Sequence, residues 1–198
     1  MSLLTLDQNL TESLYRLTRD SSANQHLAYV IATYLIYLLP IVLLVLFWRQ
    51  QTRVESAKLF VMTLVTWQGL NKLLGDFLYG HYGFRDRPFA SHGLSELLFE
   101  QPQKAFPSDH AAVFMFVTLA LYYYGHKKWA AVFLVAMILS SVARVAIGFH
   151  WAGDIVGGWA VGAIGFGLMV WLDPALQKIG DWFFGLFNRS KQNEPRGA

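Results

Sequence analysis

The sequence predicts an all-α integral membrane protein, a single domain of about five transmembrane helices with interfacial helices beside them. Three observations carry that expectation. The 198 residues are 55% hydrophobic and only 15% charged, where soluble domains are nearer about a quarter charged. The apolar residues fall into five long runs of membrane-crossing length. The ionisable residues gather at the ends of those runs, where membrane proteins keep them. Cysteine is absent, so disulfides, iron–sulfur clusters and thiol catalysis are excluded.

Taken in order, residues 1–26 form an interfacial segment. Leu6, Leu10, Leu14 and Leu17 recur near helical spacing between polar neighbours, and the start lacks the basic region of a cleavable signal. The expected spans are 27–48, 58–79, 110–124, 129–147 and 155–172. The third is short, and either tilts little or reaches its full length by including Pro107 to Asp109 and the turn at Gly125. Residues 80–109 make the one long polar connection, and long connections in compact folds are usually functional. Pro174 is expected to stop the fifth span. Trp182 to Phe187 then read as a second interfacial piece before a polar tail at 188–198. Gly157, Gly158, Gly162 and Gly165 recur near helical spacing, as close helix packing requires. The Trp and Tyr residues read as interface anchors rather than a base-stacking platform, so no nucleic-acid partner is expected.

Lys and Arg counts orient the chain. Arg49, Arg53, Lys58, Lys127, Lys128, Lys178, Arg189, Lys191 and Arg196 share one side, read as cytoplasmic. The N-terminus then lies outside and the C-terminus inside. His110 opens the third span and His150 follows the fourth, so both return to the outer surface. Arg87-Pro88 closes the second span there too. Four stretches, centred on Arg87, Ser108, Arg144 and His150, are expected to converge.

Such a cluster suits phosphoryl transfer. Arginine presents a planar fork that matches phosphate oxygens, and Arg87 and Arg144 supply two, with Arg85 as a third. Pro107-Ser108-Asp109-His110 reads as a helix start, with Ser108 or Asp109 as its cap. His150 and Asp154 stand one helical turn apart, so the carboxylate can orient the imidazole. Of two histidines, one attacks phosphorus and the other protonates the leaving oxygen.

These residues resemble the type-2 phosphatidic acid phosphatase (PAP2) superfamily. Its signature is Lys-x6-Arg-Pro, then Pro-Ser-Gly-His, then Ser-Arg-x5-His-x3-Asp. Arg87-Pro88, Pro107-Ser108 with His110, and Arg144, His150 and Asp154 match it. The wording around Phe106-Pro107-Ser108-Asp109-His110 is similar to the undecaprenyl-diphosphatase branch associated with bacitracin resistance. The resemblance implies a helical bundle of the kind shared with haloperoxidases. It implies His150 as nucleophile, Asp154 as its orienting partner and His110 as general acid, with Arg87, Ser108 and Arg144 on the phosphate and no metal or other cofactor. The implied substrate is undecaprenyl diphosphate or another lipid phosphate in the cytoplasmic membrane, with a phosphatidic acid or phosphatidylglycerol phosphate phosphatase as the alternative. A small transporter is the non-enzyme rival, though no inverted repeat is visible.

Three departures stand out. Gly80 occupies the place of the first-motif lysine, for which Arg85 offers a substitute charge. Ala143 replaces the third-motif serine. Asp109 replaces a glycine and brings a carboxylate to the phosphate site, where it is expected to cap the helix, contact Arg87 or recruit a cation. Lys72 and Asp76 read as a structural pair. His81, His92 and His126 read as surface residues, His26 as interfacial, and Lys104 as either solvated or steering the head group.

Overall fold

The computed structural model describes residues 2–83, 85–91 and 105–192. His92, Lys104 and the end of the polar tail lie outside them. Among the described residues all regular structure is helical. Helix α1 (Leu3–Arg19) precedes α2 (Ser22–Tyr34), which continues through a tight 3-10 turn at Leu35–Tyr37 into α3 (Leu38–Trp48). Pro40 lies just beyond that turn. A proline has no N–H and its ring crowds the carbonyl one turn back, so the helix tightens there without breaking.

A turn at Gln50–Thr52 reverses the chain into α4 (Arg53–Leu64). The Thr52 hydroxyl donates to the Leu46 carbonyl at 2.6 Å, and that of Ser56 to Leu43 at 2.8 Å, fastening the hairpin. A π-helical segment, Val65–Asn71, joins α4 to α5 (Lys72–Tyr82). The short α6 (Pro88–Ser91) follows. The remaining helices are α7 (Asp109–Tyr123), α8 (Lys127–Ala146) and α9 (Ala152–Gln192).

Helix α7 is the centre of the bundle, packed most extensively against α9 and α8. It is apolar on every side because it is covered on every side. Phe114, Phe116, Val117 and Leu121 meet Leu59, Met62, Phe133 and Met169 in one core. Around it Ile41, Leu44, Val135, Leu139, Ile164 and Trp171 are exposed. An apolar belt of this extent faces lipid. The predicted glycine packing is present: a Cβ at Gly158 would fall 2.5 Å from the Ser108 carbonyl oxygen, and one at Gly162 would strike the Ala112 carbonyl.

Ser22–Trp48, Lys127–Ala146 and Ala152–Leu186 are long and apolar enough to cross a membrane. The expected third span is a 15-residue apolar helix that starts only at Asp109, because Ala105 to Ser108 ahead of it are not helical. The second expected span is the α4–π–α5 rod. Pro174 does not stop the fifth: α9 runs through it to Gln192, and Trp182 to Phe187 belong to the same helix. Polar contacts on either side of the proline hold it. Lys58 Nζ reaches Asp173 at 2.7 Å and Gln177 at 2.8 Å, and the Tyr124 hydroxyl donates to Asp173 at 2.7 Å. His126 departs from its surface reading, since it meets Glu55 at 2.8 Å at this same end of the bundle. The Lys72–Asp76 pair forms as expected, at 2.9 Å.

Candidate active site

The opposite end of the bundle holds the convergent residues, and the α8–α9 connection is its frame. Helix α8 ends in a Schellman motif. Gly148 N–H donates to the Val145 carbonyl and Phe149 N–H to that of Arg144, both at 2.9 Å. Gly148 has φ of +76°, and a Cβ there would fall 3.0 Å from the Phe89 nitrogen, so only glycine fits. The Gly148 carbonyl in turn accepts from Phe89 N–H at 3.0 Å, which docks α6 on the connection.

Helix α9 starts with half of a capping box. Trp151 stands at its cap position, and Asp154 reaches back to accept from Trp151 N–H at 3.0 Å. The same oxygen, Oδ2, lies 3.4 Å from His150 Nδ1. On the other side of the ring, Arg144 Nη2 is 3.1 Å from His150 Nε2. A guanidinium can only donate. His150 Nε2 therefore carries the lone pair and Nδ1 the proton, shared with Asp154. Burial, followed by the charges of Arg144 and Arg87, pushes the His150 imidazole well below its ordinary pKa and keeps it neutral.

Other strands of chain converge on this pair. Arg87 is buried and donates through Nη1 to the Phe149 carbonyl at 2.5 Å. Arg144 also donates to the Ala32 carbonyl, at 3.2 Å. Ser108 N–H donates to the Asp154 carbonyl at 3.0 Å, seating the start of α7 against α9. His110, in the first turn of α7, lies within electrostatic reach of His150 and Arg144. The Ser108 hydroxyl and Arg144 Nε are buried without a hydrogen-bond partner among the described residues. Buried donors left open beside two buried arginines fit an anion. The expected cap does not form, since Ser108 makes no side-chain bond to the helix amides. Asp109 instead accepts from Asn71 Nδ2 at 2.6 Å.

Arg85 stands apart from the other arginines. Its guanidinium lies 3.6 Å from the Trp151 ring and pairs with Asp7 of α1. It borders a cavity of about 400 Å³ that also touches Tyr79, Tyr82, Phe106 and Asp154. Gly80 is on α5 with nothing near its Cβ position, and among the described residues no lysine takes the first-motif place.

Several contributors were not anticipated. Asn71, fully buried at the end of the π segment, also donates to the Pro107 carbonyl at 3.2 Å and so holds the site's approach to α7. An asparagine inside an apolar run was the available signal. The Trp151 indole donates to the Asp86 carbonyl at 2.8 Å, which brings the Arg85–Arg87 stretch to α9. Asp7 and Thr11 of α1 bond to the first amides of α9, contacts that no local pattern signals.

Known proteins resemble this chain in sequence and in fold. The family described as "PAP2 superfamily" matches residues 56–178. "Putative undecaprenyl-diphosphatase YbjG" of Escherichia coli (strain K12) is 31% identical over 80% of this chain and 80% of its own length. "Bacitracin transport permease protein BcrC" of Bacillus licheniformis is 25% identical over 90% of this chain and 86% of its own. The crystal structure of a transmembrane PAP2-type phosphatidylglycerolphosphate phosphatase from Bacillus subtilis superposes with a TM-score of 0.65 at 21% identity, covering 87% of each chain. The matched region spans Arg87, Ser108, His110, Arg144, His150 and Asp154, and the chain belongs to the PAP2 superfamily in its all-helical, membrane-embedded form.

Proposed function

We propose that this protein is a membrane lipid phosphatase that hydrolyses undecaprenyl diphosphate to undecaprenyl phosphate and inorganic phosphate. The observation that carries the reaction is the His150 environment. Its Nε2 lone pair is turned toward Arg144, where a phosphate would be held, and its Nδ1 proton is turned toward Asp154. Family membership and the similarity to a protein named as an undecaprenyl-diphosphatase support phosphatase chemistry and this lipid.

In this reading Arg87, Arg144 and Ser108 bind the terminal phosphate, with Arg85 at the mouth. His150 Nε2 attacks phosphorus in line, the bond from phosphorus to the bridging oxygen breaks, and His110 gives its proton to that oxygen. The phosphohistidine is then hydrolysed by water, which returns a proton to His110 and releases phosphate. Asp154 stabilises the positive charge that develops on His150. Asp109, held by Asn71, borders the phosphate site. The positive-inside pattern supports a site on the outer face of the cytoplasmic membrane, where lipid-carrier recycling for cell-wall synthesis would place it. A glycerolipid phosphate such as phosphatidylglycerol phosphate is the second reading, supported by the fold shared with that phosphatase.

The test is phosphate release by purified protein in detergent with EDTA, offering undecaprenyl diphosphate, phosphatidic acid and phosphatidylglycerol phosphate, with His150→Ala as control. Release from the diphosphate that disappears in the variant is expected. Preference for a glycerolipid would keep the reaction and replace the substrate. No release from any of them would remove the phosphatase reading.

A further inference from the structure

The start of α9 carries Asp154, and its cap position is taken by Trp151, whose indole has no acceptor and is engaged with the Asp86 carbonyl. A helix start needs acceptors for its first amides. Ser, Thr, Asp or Asn at the cap normally provide them. Here the reactive loop spends those positions on Phe149, His150 and Trp151. The acceptors come from α1, far away in sequence. Thr11 Oγ1 accepts from Ala152 N–H at 3.0 Å, and Asp7 Oδ1 accepts from Gly153 N–H at 2.8 Å. Thr18 closes the other end of the connection by donating to the Ala146 carbonyl, the last residue of α8, at 2.5 Å.

Burial agrees with this use of α1. Thr11 is fully buried and Thr18 nearly so, whereas Leu3, Leu6, Leu10 and Leu17 point outward. The helix turns Thr11, Thr18 and the partly buried Leu14 to the protein and these four leucines away from it. Helix α1 also lies outside residues 56–178, the part that the family description matches.

From these contacts we propose that α1 is a positioning element that supplies acceptors for the first two amides of α9, which its own cap residue lacks, with Thr11 and Asp7 as positioning residues for His150 and Asp154. The inference rests on the phosphatase reading for its kinetic readout. Asp154 answers to two partners through one oxygen, the Trp151 amide and His150 Nδ1. A first turn that frays moves that oxygen and releases the imidazole from its orientation. Arg144 is anchored on the Ala32 carbonyl, outside the frayed turn, and keeps its contact with bound phosphate. Loss of the cap is therefore expected in turnover rather than in substrate affinity.

The experiment compares Thr11→Val, Thr11→Ser, Asp7→Leu and Asp7→Asn with wild type. It measures kcat and KM for the lipid phosphate that wild type hydrolyses, together with amide hydrogen exchange across residues 149–155 without substrate. Thr11→Val should lower kcat at least tenfold with KM changed less than threefold, and speed exchange in that segment; Asp7→Leu, which also frees Arg85 at the mouth, should lower kcat and speed exchange likewise. Thr11→Ser and Asp7→Asn keep an acceptor and should stay within threefold of wild type in both. Unchanged exchange and kcat in Thr11→Val would overturn the proposal, as would equal losses in Thr11→Val and Thr11→Ser. If wild type released no phosphate, the phosphatase reading would fall, while faster exchange in Thr11→Val alone would still uphold the cap. Slow exchange in that variant would overturn the cap as well.

Discussion

At the scale of single residues, two side chains separate binding from folding. The Ser108 hydroxyl is buried with no partner among the described residues, a state that costs roughly 1–3 kcal/mol. Ser108→Ala removes that cost together with the proposed phosphate donor. Turnover is expected to fall by roughly a hundredfold, the usual effect of losing one donor to a developing oxyanion, while the thermal midpoint stays level or rises. A loss of both would mark Ser108 as structural. His150 gives a prediction in pH. Its folded pKa is depressed, first by burial and then by Arg144 and Arg87, whereas an unfolded histidine titrates near about 6.5. Below that pH the unfolded chain takes up a proton that the folded site refuses, so stability falls as the solution is acidified. Differential unfolding from pH 7 to pH 5 is expected to show a steeper decline for wild type than for His150→Gln. Parallel declines would mean that the imidazole titrates freely. The meeting of Arg144, His150 and Asp154 was legible in their spacing, which returns the three side chains to one end of the bundle. The partners of Arg85 were not legible, because Asp7 meets it only through the packing of α1.

Among the elements, the contact between α7 and α9 decides where the site's halves meet. Gly158 lies against the Ser108 carbonyl and the Ala111 side chain, both of them on or beside the first turn of α7. A methyl group there pushes backbone rather than a flexible tip, and such overpacking typically costs about 1–3 kcal/mol. Gly158→Ala is expected to lower the thermal midpoint and to reduce turnover together, by moving Ser108 and His110 away from His150. Gly167, on the same helix with open space at its Cβ position, serves as control. Its change to alanine is expected to be neutral or stabilising by up to about 1 kcal/mol. Equal effects at the two positions would mean that close packing at Gly158 does not set the site. The apolar runs made the existence of these helices legible, and the glycine spacing made their approach legible. Helix ends were harder. Pro174 read as a stop because a proline removes a local hydrogen bond, and nothing local showed that Lys58 and Tyr124 would hold Asp173 beside it. The π segment was equally hidden, since Val65–Asn71 reads as ordinary apolar helix until the buried Asn71 is seen to face Pro107 and Asp109.

Across the whole molecule, the two ends of the bundle carry different chemistry. One end gathers Arg87, Ser108, His110, Arg144, His150 and Asp154 into the candidate site. The other holds the buried Lys58 with Asp173 and Tyr124, and His126 with Glu55, in contacts that join α4, α7, α8 and α9. The second set uses its charges on one another and leaves the Lys and Arg residues nearby to face the membrane surface. On the proposed orientation, which rests on the positive-inside pattern, that end is cytoplasmic and the site is outside. A chain without cysteine makes the point directly testable. Tyr82, at the site end of α5, and Trp48, at the far end of α3, are both 84% exposed. Single cysteines at these positions report the two faces of the membrane. A thiol reagent that cannot cross the membrane is expected to label Tyr82→Cys in intact cells and Trp48→Cys only after permeabilisation. The reverse pattern would place His150 at the cytoplasmic face. The substrate phosphate would then have to be presented from inside, and recycling of a carrier released outside would no longer fit this protein.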